Sequence, residues 1–442
     1  MESLTTDCVI AGGGPAGMML GYLLARAGID VTVLEKHPDF LRDFRGDTVH
    51  PSTLQVMHEL GLLEEFLALP HAQISRIGID IGDRHFQFGD LSHLPTACKF
   101  IAMMPQWDFL NFLARKAGAF PNFHLLMQTE AKDLIAQKDK NGGDRICGVL
   151  ATGPGSVGGS QSDQMRSVGE SQSDQIRSVG EGQSDPKRVN MQIRAGLTVA
   201  ADGRHSTLRV KSGLKLTDLG APFDVLWLRL PAMPGDPVDV LGRLKDGQLF
   251  VMIWRDAYWQ CALVIPKGGH DAIRAQGLSR FKARLKDIAG FAAPRVDDAI
   301  TDFDQVKLLT VAVNRLEEWA RPGLVCIGDA AHAMSPVGGV GINLAIQDAV
   351  ATANILGPAL LKGAPKLSDL QKVQKRRQFP TRLIQGFQLV VQNRFLAPTI
   401  ASGTTPKAPW FVRLIDAVPL LQRIPARLVG IGPRPEHVKK YS

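Results

Sequence analysis

Residues 7–11 (DCVIA) form a short apolar run, broken at once by a glycine-rich turn at 12–14. A stretch rich in Leu, Met and Ala, with no proline, follows over 18–27, and Gly28 closes it. Residues Ile29 to Leu34 then alternate. The pattern predicts strand, turn, helix and second strand in immediate succession. Ser52 to Leu67 reads as a helix, and Ile74 to Phe88 alternates apolar with polar positions like a hairpin of a half-buried sheet. Another helix is expected from Met104-Pro105-Gln106-Trp107, its stripe made by Trp107, Leu110, Leu113 and Ala114, with Pro105 in its first turn. Residues 145–150 and 191–201 read as strands, and a strand ending in Asp202-Gly203 leads to a helix near Ser206. Strand-like runs over 222–266, joined by 296–313, suggest a mostly antiparallel sheet separate from the opening unit. From Gly357 onward the pattern is helical with proline breaks.

Between the strands at 145–150 and 191–201 stand three tandem 11-residue units, SVGGSQSDQMR, SVGESQSDQIR and SVGEGQSDPKR, starting at Ser156, Ser167 and Ser178. Every copy holds glycine, and each offers only Val plus at most one Met or Ile for burial. They cannot build a core, so neither a coiled coil nor a solenoid fits, and a disordered loop with no catalytic role is expected.

At 442 residues the chain suits two closely joined domains. No segment reaches the ~20 uninterrupted apolar residues of a membrane span, and the polar stretch Met1 to Thr6 does not read as a signal peptide. Cys8, Cys98, Cys147, Cys261 and Cys326 are scattered, with no C-x-x-C pair. That argues for reduced thiols in a cytoplasm and against a disulfide scaffold or a metal site. The net charge of +8 is concentrated in residues 371–442, where 13 Lys/Arg face only Asp416 and Glu436. No recognition module accompanies this charge, so nucleic acid is not an expected partner. Trp410 to Leu421 is too short and too charged to cross a bilayer. It can rest on one, or cap the domain with a solvated basic face.

Gly12, Gly14 and Gly17 stand at G-x-G-x-x-G spacing between the first strand and helix. There Gly12 permits the tight turn, Gly14 admits a pyrophosphate, and Gly17 lets helix and sheet pack closely. The helix N-terminus offers N–H groups to the phosphate, and Glu35 can accept both hydroxyls of an adenosine ribose. Strand, turn, helix, strand and acid in register point to dinucleotide binding. A second glycine motif, Gly328-Asp329-Ala330-Ala331-His332 through Gly341-Ile342-Asn343, repeats the theme of strand, acidic turn, glycine loop and helix. Asp329 can accept from sugar or ribityl hydroxyls, and His332 reads as a structural hydrogen-bonder. Arg45 is a guanidinium near the nucleotide strand, with an ion pair to Asp43 or Asp47 as its plainer role. Trp227, Trp254, Tyr258 and Trp259 can line a flat apolar pocket or simply pack within the sheet.

GGGPAG with Glu35, DGRHSTLR at 202–209 and GDAAHAMSPVGGVGIN at 328–343 resemble, in order and spacing, the fingerprints of the class A flavoprotein monooxygenases, the para-hydroxybenzoate hydroxylase-like FAD enzymes. The likeness covers roughly residues 5–350. It implies an α/β fold: a Rossmann-like FAD-binding domain of the GR2 type, an inserted mostly antiparallel substrate sheet, and a helical C-terminal region. The FAD-binding domain then falls in three parts, 1–73, 101–221 (with the repeat loop 151–189) and 310–360. The substrate domain takes 74–100 and 222–309, and residues 361–442 form the helical region.

The same resemblance puts the FAD pyrophosphate on Gly12, Gly14, Pro15, Ala16 and Gly17, and the adenosine ribose on Glu35 and Lys36. It sets Arg45 and Gln106 against the phosphates and ribityl chain, Asp329 on the ribityl hydroxyls, and the backbone of Gly341, Ile342 and Asn343 against the flavin ring. Asp202 and Arg209 match the motif used for both FAD and NAD(P)H. The implied reaction uses NAD(P)H and O2 to hydroxylate an aromatic or polyketide-like small molecule through a flavin C4a-hydroperoxide. NAD(P)H is a transient donor, with no nicotinamide domain of its own. Trp227, Trp254 and Tyr258 are the substrate candidates, and Asp47, His50 and Arg229 the candidates for a base. Competing readings are a reductase acting on an isoprenoid or quinone-type substrate and a flavin-binding scaffold without turnover; a Trp-x-Trp-x-Ile-Pro halogenase signature is not met. Whether the chain is a monomer or a homodimer stays open.

Overall fold

The computed structural model describes residues 1–41, 48–138, 142–154, 188–237, 240–255 and 257–439. Arg45, Asp47 and nearly all of the three 11-residue units lie outside them.

The opening run forms β1 (Glu2–Ala11), α1 (Pro15–Arg26) and β2 (Val31–Leu34). β1 lies inside an eight-stranded sheet, between β2 and the strand Arg188–Ala200. Cys8 stands opposite Val31 on one side and Leu197 on the other, both pairings parallel. Parallel strands covered on both faces must be apolar throughout, and Cys8, Val9, Ile10 and Ala11 are all enclosed. Leu324–Cys326 and Phe123–Leu126 extend the parallel part. The N-terminal half of Arg188–Ala200 also pairs antiparallel with Asp144–Pro154, which pairs in turn with Glu130–Lys138. On one face α1 packs in a common core with Gln106–Ala117 and the 20-residue helix Gly341–Leu360.

The alternating stretches after residue 74 form a second, seven-stranded sheet. Its order is Lys307–Leu309, Phe223–Pro231, Tyr258–Pro266, Gln248–Trp254, Val240–Lys245, Arg76–Ile81 and Arg84–Asp90. The one parallel junction, Arg243 opposite Asp80, joins the early hairpin to the later strands. Leu226, Leu228, Phe250 and Met252 face a helical layer led by Leu278–Ala289. Val225, Trp227 and Val251 point the other way, toward Val337 and the C-terminal helices.

Two expected elements differ. The Ser52–Leu67 helix is two, Pro51–Glu59 and Leu63–Leu67, because Gly61 between them takes φ +73, which an α-helix cannot continue. Of 296–313, only Lys307–Leu309 joins the sheet. Val296–Ala299 is a helical turn, with Asp297 and Asp298 at the N-terminal end that favours acids.

The C-terminal region continues as Leu367–Val391, Trp410–Ala417 and Pro419–Gly430. The last two pack on the edge strand Arg84–Asp90. The tail beyond them returns to the first domain, where Val438 N–H donates to Glu59 Oε2 at 2.8 Å.

Candidate cofactor and substrate site

Three loops at the C-terminal ends of the parallel strands build one cradle. In the first, Gly12 takes φ +107, and a Cβ there would lie 2.3 Å from the Ala201 carbonyl oxygen. A Cβ on Gly17 would meet the Gly12 oxygen at 1.9 Å, whereas one on Gly14 would meet nothing within 4 Å. So the outer two glycines are required by protein packing, and the middle one opens onto free space. Gly14 is the N-cap of α1, and no side chain caps that helix. Its first-turn N–H groups and dipole therefore suit a phosphate. Pro15 and Ala16 continue this turn into the helix. Glu35 is buried at the end of β2, where its Oε2 accepts from Gly13 N–H (3.1 Å) and its Oε1 from His37 N–H (3.0 Å). Both carboxylate oxygens are thereby fixed in place. Lys36 beside it is exposed.

The second loop is Asp202–Arg209. The Asp202 carboxylate accepts from the Ser206 hydroxyl and from Leu208 N–H (3.1 Å), and Ser206 Oγ accepts from Arg209 N–H (3.0 Å). Burial pushes the Asp202 carboxyl up against these bonds. Arg209 is enclosed and donates to the carbonyls of Ala330 (3.1 Å), Asp329 (3.4 Å) and Arg204 (2.7 Å). The side chains of Asp202 and Arg209 are thus engaged with protein: Asp202 within its own loop, and Arg209 locking that loop to the third.

The third loop carries Asp329, whose side chain is about a third exposed, with Arg204 at 3.6 Å. Beyond it Gly338 and Gly339 take φ +80 and +63. Asn343 Oδ1 accepts from His50 N–H (2.9 Å) and Thr53 Oγ1 (2.7 Å), and its Nδ2 donates to the Thr48 carbonyl (3.3 Å). That side chain is committed to the 48–53 segment. What remains to face a ring is the backbone of Gly341, Ile342 and Asn343, in the uncapped first turn of its helix. Gln106 opens the helix Gln106–Ala117 and is half-buried.

His50 is fully enclosed. Its Nδ1–H donates to the Val429 carbonyl at 2.8 Å, and among the described residues Nε2 meets no hydrogen-bond partner. Burial lowers it to about 4, overcoming the bond to Val429. It joins the 48–53 segment, the helix Gly341–Leu360 and the C-terminal helix Pro419–Gly430, and it is a poor base near neutrality. Asp47 lies outside the described residues.

His332 does bond structurally, as its setting between alanines suggests: its Nε2 lies 2.6 Å from Asp348 Oδ2. Gly328 N–H reaches the same oxygen, while Arg377 donates to Asp348 Oδ1 (2.9 Å) and to Glu436 Oε1 (3.2 Å). Burial works against the Asp348 carboxylate, but His332 and Arg377 outweigh it and hold the group below its usual range. Sequence reasoning missed this network, since Asp348, Arg377 and Glu436 lie on three separate segments with no shared motif.

The seven-stranded sheet presents its other face to this cradle. Trp227 packs with Val251 and with Met103 and Val429 on the neighbouring elements. Arg229, on the same face, lies with its guanidinium 4.8 Å from the Tyr258 ring centre. Trp254 does not join them. It packs with Phe250 and Met252 against the helical layer, because positions an even number apart along one strand share a face. Trp259 is also on the helical side. Two polar residues not anticipated from sequence, Arg255 and Gln260, meet at 3.3 Å (Nε to Oε1). Gln260 is buried directly across from Arg229, and cross-strand register was the signal that could have found it. Asp108 in the first turn of Gln106–Ala117 is pushed up by burial and drawn down by Arg255, so this polar group lies at the domain junction.

The FAD binding domain family matches residues 5–146 and 159–386. The chain belongs to that family. It is 29% identical over 410 residues to 6-methylpretetramide 4-monooxygenase of Streptomyces rimosus, spanning 92% of this chain and 88% of that one. Para-nitrophenol 4-monooxygenase of a Pseudomonas strain is 25% identical, over 86% and 84% of the two chains. Among solved structures, the probable FAD-dependent monooxygenase PqsL from Pseudomonas aeruginosa superposes with a TM-score of 0.68 at 21% identity, covering 90% of this chain and 99% of that one. As an FAD-binding-domain protein of the aromatic-hydroxylase type, the chain is a flavin-dependent monooxygenase with the para-hydroxybenzoate hydroxylase-like α/β fold. Its open Gly14, uncapped α1 and partly exposed Asp329 fit a dinucleotide's phosphates and sugar hydroxyls.

Proposed function

We propose that the enzyme hydroxylates a planar, oxygen-bearing aromatic or polyketide-derived ring held between the Trp227 face of the sheet and the first turn of Gly341–Leu360. The observation that carries this reading is that Trp227, which packs toward Val337, and Arg229, stacked on Tyr258, stand two residues apart on one face of the same strand. A phenol or enol ring would lie against the indole, and Arg229 would stabilise its oxygen as charge develops.

FAD, when bound, supplies the redox chemistry, passing electrons from NAD(P)H to O2 and an oxygen atom to the ring. In balance, ring C–H, O2, NAD(P)H and a proton give ring C–OH, NAD(P)+ and water. The protein's share is positional. In this reading Gly14 and α1 hold the pyrophosphate, Glu35 and Lys36 the adenosine ribose, Gln106 and Asp329 the ribityl side, and Arg45 the phosphates. Arg209 ties the second loop to the third and Asp202 fixes the second loop's own turn, and the facing sheet would shield the reacting ring from water. Tyr258 sets the orientation of Arg229. Action in the cytoplasm, with the basic C-terminal helices touching a membrane surface, belongs to the same reading.

The test is NAD(P)H oxidation by the purified flavoprotein with labelled O2 across phenolic and tetracyclic polyketide candidates. Substrate-stimulated oxidation with label in the product and little peroxide supports the reading. Stimulated oxidation that yields an unlabelled, reduced product overturns it in favour of a reductase.

A further inference from the structure

The helices that follow the cofactor-binding parts leave a large apolar surface uncovered. Trp410–Ala417 contains no buried residue. Trp410 is 71% exposed, Leu420 62% and Ile424 68%. Alongside, the helix Leu367–Val391 turns Phe379, Leu383, Phe387 and Val390 outward, at the spacing of a single helical stripe. Three contacts hold the two sets side by side. Arg434 lies 5.8 Å from the Phe379 ring centre, Ile384 packs near Leu428 and Val429, and Phe395 meets Phe411 with ring centres 5.4 Å apart. Patches of this kind on a folded domain mark an interaction site.

Charge identifies the partner. Arg382, Arg394, Lys407, Arg413, Arg423 and Arg427 are all exposed around these stripes. The only two acids of residues 371–442 are turned inward. Asp416 accepts from Gln87 N–H at 3.0 Å with Arg84 at 3.4 Å, and Glu436 is buried against Arg376 and Arg377. The outward face therefore carries cations and apolar groups with no acid from this region between them. A second copy of the chain docking by two-fold symmetry would set this positive face against itself, which like-charge repulsion opposes. Among the described residues no helix is long and apolar enough to cross a membrane, so the surface would lie on a bilayer without spanning it.

We propose that the Leu367–Val391 helix and the Trp410–Gly430 pair form a docking face for an anionic lipid surface. Trp410, Leu420 and Ile424 enter the headgroup boundary while Arg413 and Arg427 meet lipid phosphates. Because this helical pair packs on the edge strand of the sheet that bears Trp227, docking brings the substrate domain next to the bilayer. The face does not depend on the identity of the substrate.

The experiment is flotation of the full-length flavoprotein with vesicles of phosphatidylglycerol or of phosphatidylcholine. Binding to the anionic vesicles only, lost progressively as salt rises, is expected. Arg413→Gln with Arg427→Gln should weaken it roughly twenty-five-fold, at about a factor of five for each lysine or arginine near such a surface. Trp410→Ser with Ile424→Ser should also weaken it, with flavin content unchanged in both variants. Equal binding to both vesicle types, no binding to either, or binding untouched by both double variants overturns the proposal. So does sedimentation showing a dimer that Trp410→Ser with Ile424→Ser dissociates while vesicle binding stays intact.

Discussion

Arg377 donates from Nε to Asp348 Oδ1 at 2.9 Å, and both side chains are almost completely enclosed. The same carboxylate accepts from His332 and from Gly328 N–H, while Arg377 reaches on to Glu436 in the tail. One buried ion pair thus ties the Asp329 loop, the helix Gly341–Leu360, Leu367–Val391 and the C-terminal tail together. Removing one member of such a pair leaves the other charged and desolvated. Arg377→Met is expected to destabilise the protein by about 3–5 kcal/mol, read as a lowered urea midpoint. Glu436→Gln should cost much less, because Asp348 keeps its guanidinium. Equal losses from the two would disprove the hierarchy.

Asp329 presents a carboxylate that is about a third exposed and whose nearest cation, Arg204, stands at 3.6 Å. A partly exposed pair at that distance contributes up to about 1 kcal/mol to folding. Its main loss on truncation should therefore be to the cofactor. Asp329→Ala is expected to raise the FAD dissociation constant by roughly tenfold or more, the worth of a hydrogen bond to a charged acceptor. The melting temperature of the flavin-free protein should barely move. Full flavin occupancy after exhaustive dialysis would remove Asp329 from the site.

His50 gives a pH signature of its own. Burial holds it at about 4 in the folded protein, against an ordinary 6.5. The unfolded chain therefore binds a proton that the folded one refuses between those values. Stability contributed by the neutral ring is complete above 6.5 and is lost as the pH falls from 6.5 to 4, by roughly 3 kcal/mol in all. His50→Asn keeps a donor near the Nδ1 position for Val429 and removes the titration. Its unfolding free energy should fall less steeply across that window than the parent's. Parallel curves would show that His50 is not the group responsible.

Much of this architecture is written in local pattern, and the remainder is not for a physical reason. The turn at Gly12 to Gly17 and the acid at Glu35 are legible because their partners lie within about one βαβ unit. The alternation in Phe223–Pro231 and Gln248–Trp254 announces two faces, but alternation cannot say which face a distant helix will cover. Trp227 and Trp254 look equivalent in sequence, and they end up on opposite sides because Leu278–Ala289 covers only one. Asp202 stands in a motif that the resemblance directs toward a cofactor, and Asn343 where it assigns only the backbone; the side chains of both bond protein groups. A motif records position, whereas the hydrogen bonds that consume a side chain depend on segments such as 48–53 that only the fold brings near.

Pro154 stands opposite Arg188, Gly153 opposite Val189 and Thr152 opposite Asn190 in an antiparallel ladder. The hairpin is therefore already closed at the point where the 11-residue units leave it. Ladder register in a hairpin is set by its turn and by the burial of one face. Here Ala151 and Met191 supply buried side chains below the turn. Replacing residues 155–187 by Asn-Gly, which favours the tight turn that matches strand twist, should leave the ladder intact. Flavin content and NAD(P)H turnover are expected to stay within about twofold of the parent's, and the shorter loop should raise stability slightly, since closure entropy grows with the logarithm of loop length. The cofactor cradle lies at the opposite end of Arg188–Ala200, beside Ala201 and Gly12. A large fall in flavin content would mean that the repeats reach across the sheet to the cradle, and a fall in turnover alone would place them at the substrate.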